Sequence, residues 1–311
     1  MSSHWRRICF LTLSIVCCNA HAQIALPSWD EFLQVRAQGK SVVNLLIDND
    51  SLLLNRDDGF YTSGVQLSQR EVLNSGQQSV TYGWRIGQDL YTASDINIPP
   101  ARLQPIDHPY AGWLYAGLFT ESINAEGRGS RLGLDLGCLG PCAGGEWAQT
   151  ALHKLLRQPL PQGWSSQLHQ EWGAVISEEW SPERWSPNRS TDVASWVKAR
   201  FGNIFTDLGI ETTLRYGRLN ALPEQDAHYV FVRGQGKLVG YNATLQGGFF
   251  NHQDLPIHPK RVVGEFEFGY QWRASSYGFN ASFIRRTSEI KELNNALGAE
   301  NFVRLQFSVG L

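Results

Sequence analysis

Asn49 and Asp50 close an apolar run that begins near Val43, Tyr61 and Thr62 open the next, and Gln149 and His153 stand four residues apart further on. Carboxylate, amide and hydroxyl oxygens are the donors a hard cation such as calcium takes, and an imidazole is the usual general base near neutral pH. This combination points to metal-assisted hydrolysis rather than passive transport. Each part has a plainer reading as well. Asp48, Asn49, Asp50, Asp57 and Asp58 suit turns for local reasons, and a Gln–His pair at helical spacing is more often a surface feature. A serine nucleophile, Ser51 or Ser63, is an alternative to activated water, but the chain has no Gly-x-Ser-x-Gly elbow.

The elements that must hold these residues are strands. From Val303 to Leu311 every second residue is apolar, and Phe266, Phe268, Tyr270 and Trp272 repeat the pattern. Further alternation over 43–46, 65–69, 80–86, 113–120, 131–137, 168–176, 210–216, 229–233, 241–247 and 278–284 gives twelve candidate strands. The expected fold is all-β, a transmembrane antiparallel barrel of about 12 strands formed as one domain by residues 23–311, since only a closed sheet can span lipid. A porin-like barrel without catalysis shares this pattern.

One segment departs from it. Residues 146–157, EWAQTALHKLLR, have helix formers, an acidic start and a basic end, with Pro159 and Pro161 to stop them. A helix there places Gln149 and His153 on one face. Leu152, Leu155 and Leu156 are expected to pack on the barrel and aim the polar side elsewhere, with the helix in a loop or against the lumen. The stretch holding Trp180, Trp185 and Trp196 is expected as a loop that brings tryptophan to headgroup depth.

Compartment follows from the start of the chain. Arg6 and Arg7, an apolar core and Ala20-His21-Ala22 predict a signal peptide over residues 1–22. Of five cysteines only Cys138 and Cys142 would remain, and an exported pair around Gly140-Pro141 favours a disulfide over two free thiols. A net charge of -2 offers no basic footprint for nucleic acid. With 11 Trp, 10 Tyr, 15 Phe and 30 Gly but a mean hydropathy of -0.28, the composition is that of an outer-membrane barrel, not a helical membrane protein. The expected location is the Gram-negative outer membrane, reached through the periplasm, and the expected state a monomer.

The ordered series Asn49-Asp50, DDGFYTSG over 57–64, GQDLY over 87–91, PYAGW over 109–113, GPCAGG over 140–145, Gln149-x-x-x-His153 and Gly163-Trp164-x-x-Gln167 resembles the lipid A 3′-O-deacylase family. The resemblance covers about the first half of the mature chain. It implies a twelve-stranded barrel that removes ester-linked acyl chains from the 3′ position of lipid A with Ca2+ as cofactor and lipopolysaccharide as substrate. Carried over by position, His153 would be the general base, Asp50 a metal contact, and Asn49, Thr62 and Gln149 supporting polar groups. Two positions depart from the family pattern: Asn97-Ile98-Pro99-Pro100 replaces a lysine, and Gln158-Pro159 replaces a glutamate. Lys154, Arg157 or Arg102 are the candidates for a phosphate contact in its place, and Glu146 or Glu171 for the metal shell. A barrel esterase acting on phospholipid or another surface lipid would share this site.

Overall fold

A computed structural model of the chain describes residues 28–53, 59–274 and 276–311. The expected signal segment and the turn residues Asp57 and Asp58 lie outside them. The strands are β1 (Lys40–Asn49), β2 (Phe60–Ser75), β3 (Gln78–Thr92), β4 (Ala111–Asn124), β5 (Gly129–Leu139), β6 (Glu171–Ser181), β7 (Trp185–Asn188), β8 (Thr191–Gly202), β9 (Phe205–Arg218), β10 (Ala227–Asn242), β11 (Val262–Ala274), β12 (Tyr277–Arg286) and β13 (Glu300–Gly310). Sequential neighbours pair antiparallel, β1 pairs with β13, and β6 pairs with β8 past the short β7. The result is a closed barrel of twelve strands with one extra strand on its rim.

Alternation decides which side each residue meets. Leu45, Val65, Leu67, Trp84, Ile86, Leu118, Phe266, Phe268 and Phe307 are exposed on the outside, the apolar wall that lipid contact requires. The inward set is ionic. Arg304 donates to Asp48 at 2.8 and 2.7 Å, Arg85 to Asp135 at 2.7 Å, Lys198 to Glu211 at 2.7 Å and Arg233 to Glu267 at 2.9 Å. The lumen is therefore bridged by paired side chains rather than left as a wide channel.

The twelve expected strands match in number but not in every position. Residues 241–247 end differently: the Asn242 side chain accepts from the backbone N–H of Thr244 at 3.1 Å and caps a short helix over 243–246. The missing strand is β8, expected as loop. Its outward set, Val193, Ser195, Val197, Ala199 and Phe201, mixes small and polar residues that mute the apolar signal. Trp180 lies in β6, Trp185 is exposed in β7, and Trp196 turns inward beneath the Arg131 guanidinium, 5.7 Å from the ring centroid, so it is not part of an outer belt.

Helix α1 (Trp29–Gln38) is an addition to the expected elements. Ser28 caps it by accepting from the Glu31 N–H at 3.1 Å, and Tyr82 holds it to the wall through Glu31 at 2.7 Å. It marks the end of the barrel where β1 starts and β13 finishes, with the tight turns between β2 and β3 and between β11 and β12. In an outer-membrane barrel that end faces the periplasm, and the longer connections face outward. The residues singled out for chemistry sit at this outer end.

Candidate active site

Helix α2 (Gly145–Leu156) follows directly from β5. The Cys138–Cys142 disulfide is formed, tying the end of β5 to the turn that starts the helix. Gly144 takes a left-handed φ of 67°, and Gly145 allows close approach, since a Cβ there would stand 2.5 Å from the Trp164 ring. Leu90, Ala93, Tyr110 and Trp164 form the apolar base on which the helix rests, with Ala148 packed against it.

The helix is turned the opposite way from the expectation. Gln149 and His153 are 3% and 5% exposed, whereas Trp147 and Leu155 are 77% and 79% exposed, with Leu152 and Leu156 also outward. Gln149 and His153 pack toward the barrel while Trp147, Leu155 and Leu156 look away, the direction expected where the outer wall of a membrane barrel meets lipid. Nor does the helix enter the lumen. The cavity beneath it is lined by Asn49 of β1, Thr62, Ser63 and Val65 of β2, Gln88 and Leu90 of β3, and Gln149, Leu152 and His153 of α2. Asn49 shares the outward face of Leu45, Ser63 that of Val65, and Gln88 that of Ile86, so this is a site on the outer wall.

A bulge in β2 shapes it. Tyr61 pairs with Tyr91 and Ser63 with Leu90, leaving Thr62 as the extra residue. Tyr61 thereby turns inward, its hydroxyl 3.2 Å from Asp48, while Thr62 meets Thr92 with hydroxyl oxygens 2.7 Å apart. Simple alternation from Val65 would have put Tyr61 outside.

Two contacts set proton positions. His153 Nδ1 lies 2.6 Å from the Pro159 carbonyl. A carbonyl only accepts, so Nδ1 carries the hydrogen and Nε2 is the basic nitrogen. That carbonyl is brought back by Arg157, which ends the helix in the left-handed region at φ 56°, and by Gln158 N–H donating to the His153 carbonyl at 2.8 Å. Trp164 Nε1 donates to Gln149 Oε1 at 2.8 Å. An indole only donates, which fixes the amide with its NH2 opposite; that Nε2 is buried and has no hydrogen-bond partner among the described residues. Trp164 is the partner of Gln149 that spacing alone did not assign, although it stands in the Gly163-Trp164 motif.

The expected metal donors are only partly assembled. Asp50 is buried beside the cavity without lining it, and its Oδ2 accepts from the Gly59 N–H at 3.1 Å. Glu146 is exposed at the start of α2. Glu171 is elsewhere, its carboxylate accepting from the Phe250 and Asn251 N–H groups at 2.9 and 3.0 Å and from Asn203 at 2.7 Å. It anchors the loop after β10, and the structure does not bring it to the site. Gln158 does line the cavity, whereas Lys154, Arg157 and Arg102 do not. Among the described residues no three of His, Cys, Asp or Glu gather in a metal-binding group.

What remains is a buried donor amide, an oriented imidazole and neutral oxygens, reached through an apolar rim of Val65 and Leu152. At about 160 Å³ the cavity is smaller than the roughly 300 Å³ at which ligand pockets begin. It has room for one small polar group.

The sequence model of a family described as outer membrane protein LpxR matches residues 8–311. No curated protein matches the chain. Among solved structures, LpxR from Salmonella typhimurium is similar with a TM-score of 0.72 at 21% identity, over 87% of this chain and 100% of that one. The β domain of the Bordetella autotransporter Brka follows at 0.48 and 10%, over 87% and 98%. The translocator domain of the autotransporter NalP from Neisseria meningitidis gives 0.43 and 9%, over 90% and 94%.

Proposed function

This chain belongs to the LpxR family of outer membrane proteins, and from that premise we propose that it is a lipid A deacylase that hydrolyses the ester-linked acyl chain at the 3′ position. The observation that carries this reading is the placement of His153 and Gln149 between helix and outer wall, where an ester can arrive from the membrane without leaving it.

His153 Nε2 takes a proton from water, and the Pro159 carbonyl holds the imidazole in the tautomer that makes Nε2 basic. The water attacks the ester carbonyl, the bond from that carbon to the sugar oxygen breaks, and His153 gives its proton to the departing oxygen, leaving a free fatty acid and a sugar hydroxyl. Gln149 donates its Nε2 hydrogens toward the oxygen that gains charge. Val65 and Leu152 exclude bulk water from the acyl side.

The donors near this point suit Ca2+. Asp50, Asn49 and Thr62 offer only oxygens, one of them a carboxylate, which is hard-cation chemistry and not that of zinc. When bound there, Ca2+ supplies Lewis-acid polarisation of the ester carbonyl. With a single carboxylate and Gln158 where the family resemblance would place glutamate, the affinity belongs at the weak end of calcium sites.

A second reading is a barrel esterase of broader range. No lysine or arginine lines the cavity among the described residues, so nothing within it reads a phosphate. Mass spectrometry of lipid A and phospholipids from cells expressing wild type or His153→Ala, with membranes in calcium or chelator, tests both. Loss of 3′ acyl chains that requires His153 and calcium is the expected result. Intact lipid A with cleaved phospholipid would replace the substrate, and no cleavage of either by a folded wild-type barrel would refute the hydrolase.

A further inference from the structure

Residues 219–226, between β9 and β10, fold into the periplasmic mouth of the barrel instead of turning outside it. Leu222 is buried there, Asn74 donates to the Pro223 carbonyl at 2.8 Å, and Arg184 donates to the carbonyls of Asn220 and Ala221 at 3.2 and 2.9 Å. Glu224 is held between Arg70, at 2.6 Å, and Arg273. Against this loop lies a cavity of about 240 Å³ whose lining includes four guanidinium groups, Arg70, Arg184, Arg215 and Arg273, and one carboxylate, Glu224.

The charges do not balance. Asp192, just outside the lining, pairs with Arg215 at 2.7 Å and reaches Arg184 at 3.5 Å. Counting the lining and Asp192, four positive groups face two negative ones, a formal excess of two; Glu121, which also acts on Arg70, is itself paired with Arg131. The larger cavity at mid-lumen, about 380 Å³, is lined by seven basic and six acidic side chains and is nearly neutral by comparison. Bulk water does little to relieve the excess, because the side chains of Arg184 and Arg273 are each only 10% exposed. Burial first, and then the neighbouring Arg215, hold the Arg184 pKa below its ordinary value. The Nε atoms of Arg70 and Arg184 are also buried without a hydrogen-bond partner among the described residues, an arrangement that native interiors rarely leave unfilled.

We propose that the periplasmic mouth is a binding site for a small phosphoryl-bearing anion, held by Arg70, Arg184 and Arg273. Guanidinium forks match phosphate oxygens in pairs, and a doubly charged phosphate cancels the excess of two. Gln271 and Gln306 add amide groups to the lining. The site opens into the lumen and not to the wall, so its occupant is a soluble solute, not a membrane lipid. Its binding fastens the loop over 219–226 to β2 and β11.

The test is calorimetric titration of the folded barrel in detergent micelles with inorganic phosphate, against sodium chloride at matched ionic strength so that general screening cancels. The expected result is saturable phosphate binding by the wild type, at least tenfold weaker in Arg184→Gln, and unchanged in Arg233→Gln at mid-lumen. Glycerol phosphate identifies the source: binding as tight as inorganic phosphate marks a phosphate monoester site, and its exclusion marks a site for the free ion. No saturable binding by the folded wild type overturns the proposal, and so does equal affinity in folded Arg184→Gln.

Discussion

Replacing Trp164 with phenylalanine tests whether Gln149 is aimed from behind. The indole Nε1 donates to Gln149 Oε1 at 2.8 Å, and both side chains are almost wholly buried. Phenylalanine keeps an aromatic ring against Tyr110, which the indole meets edge-on with centroids 5.2 Å apart, but removes the donor. Gln149 Oε1 is then buried without that partner, which costs about 1–3 kcal/mol. With the indole gone nothing fixes the amide, and a half-turn that points Oε1 into the cavity in place of the NH2 lets water there donate to it. A bias of about 1–2 kcal/mol against the working orientation lowers its population by about 5- to 30-fold. Trp164→Phe is therefore expected to reduce turnover of lipid A ester by that factor, with KM little changed because the amide acts on charge that develops in the transition state. The assay is mass-spectrometric turnover by the purified barrel in calcium-containing micelles, beside Gln149→Ala. Full turnover by Trp164→Phe with a damaged Gln149→Ala would refute the argument that the indole orients the amide.

Ser51→Ala and Ser63→Ala are expected to retain most turnover, since water and not a serine attacks; loss of all turnover in either would restore the serine nucleophile. Gln158→Glu adds a carboxylate to the cavity lining and should lower the calcium concentration needed for half-activity at least tenfold, well within the roughly 4 kcal/mol that two unit charges at 4 Å exchange at an effective dielectric of 20; an unchanged calcium dependence would refute a metal beside this residue. Asp48→Asn leaves Arg304, now paired at 2.8 and 2.7 Å, without its main partner and should destabilise the barrel by about 3–5 kcal/mol, read as earlier thermal unfolding on gels; an unchanged midpoint would show the lumen pair to be dispensable. His108 lies in the loop before β4, stacked on Tyr91 with centroids 5.2 Å apart, and burial, against the pull of the Pro109 carbonyl and Glu289, keeps its pKa below the ordinary value of 6.5. The unfolded chain binds the proton first, so this contribution is complete above about pH 6.5 and declines below it; equal pH profiles for wild type and His108→Phe would refute it.

Alternation with a period of two is a local property, and the strands with large apolar residues on one face, 265–272 and 302–311, could be read directly. Where the outward face carries Ser195 and Ala199, as in β8, the same geometry leaves little contrast. Conversely, Tyr241 and Leu245 suggest alternation that the Asn242 cap interrupts. The helix over 145–156 was visible in its formers and its prolines, and the gathering of Asn49, Thr62, Gln149 and His153 was visible only through the order of motifs that the family resemblance supplied.

Sequence alone therefore showed an all-β barrel with a helical interruption near residue 150, because alternation and helix formers are local. The count of twelve agreed because the strand expected over 241–247 offset the missed β8, and closure through β1 and β13 is a long-range pairing. Which way that helix faces was a tertiary matter. An apolar helical face packs inward when water surrounds the fold and outward when lipid does, and Leu155 and Trp147 took the second course. The bulge at Thr62 and the donors on Gln149 and His153 likewise depended on Leu90, Trp164 and Pro159, partners set by register and by the helix end. The charge excess at the periplasmic mouth is the extreme case. Arg70, Arg184, Arg215 and Arg273 are spread over some 200 residues of a nearly neutral chain, and only closure of the barrel brings them to one cavity.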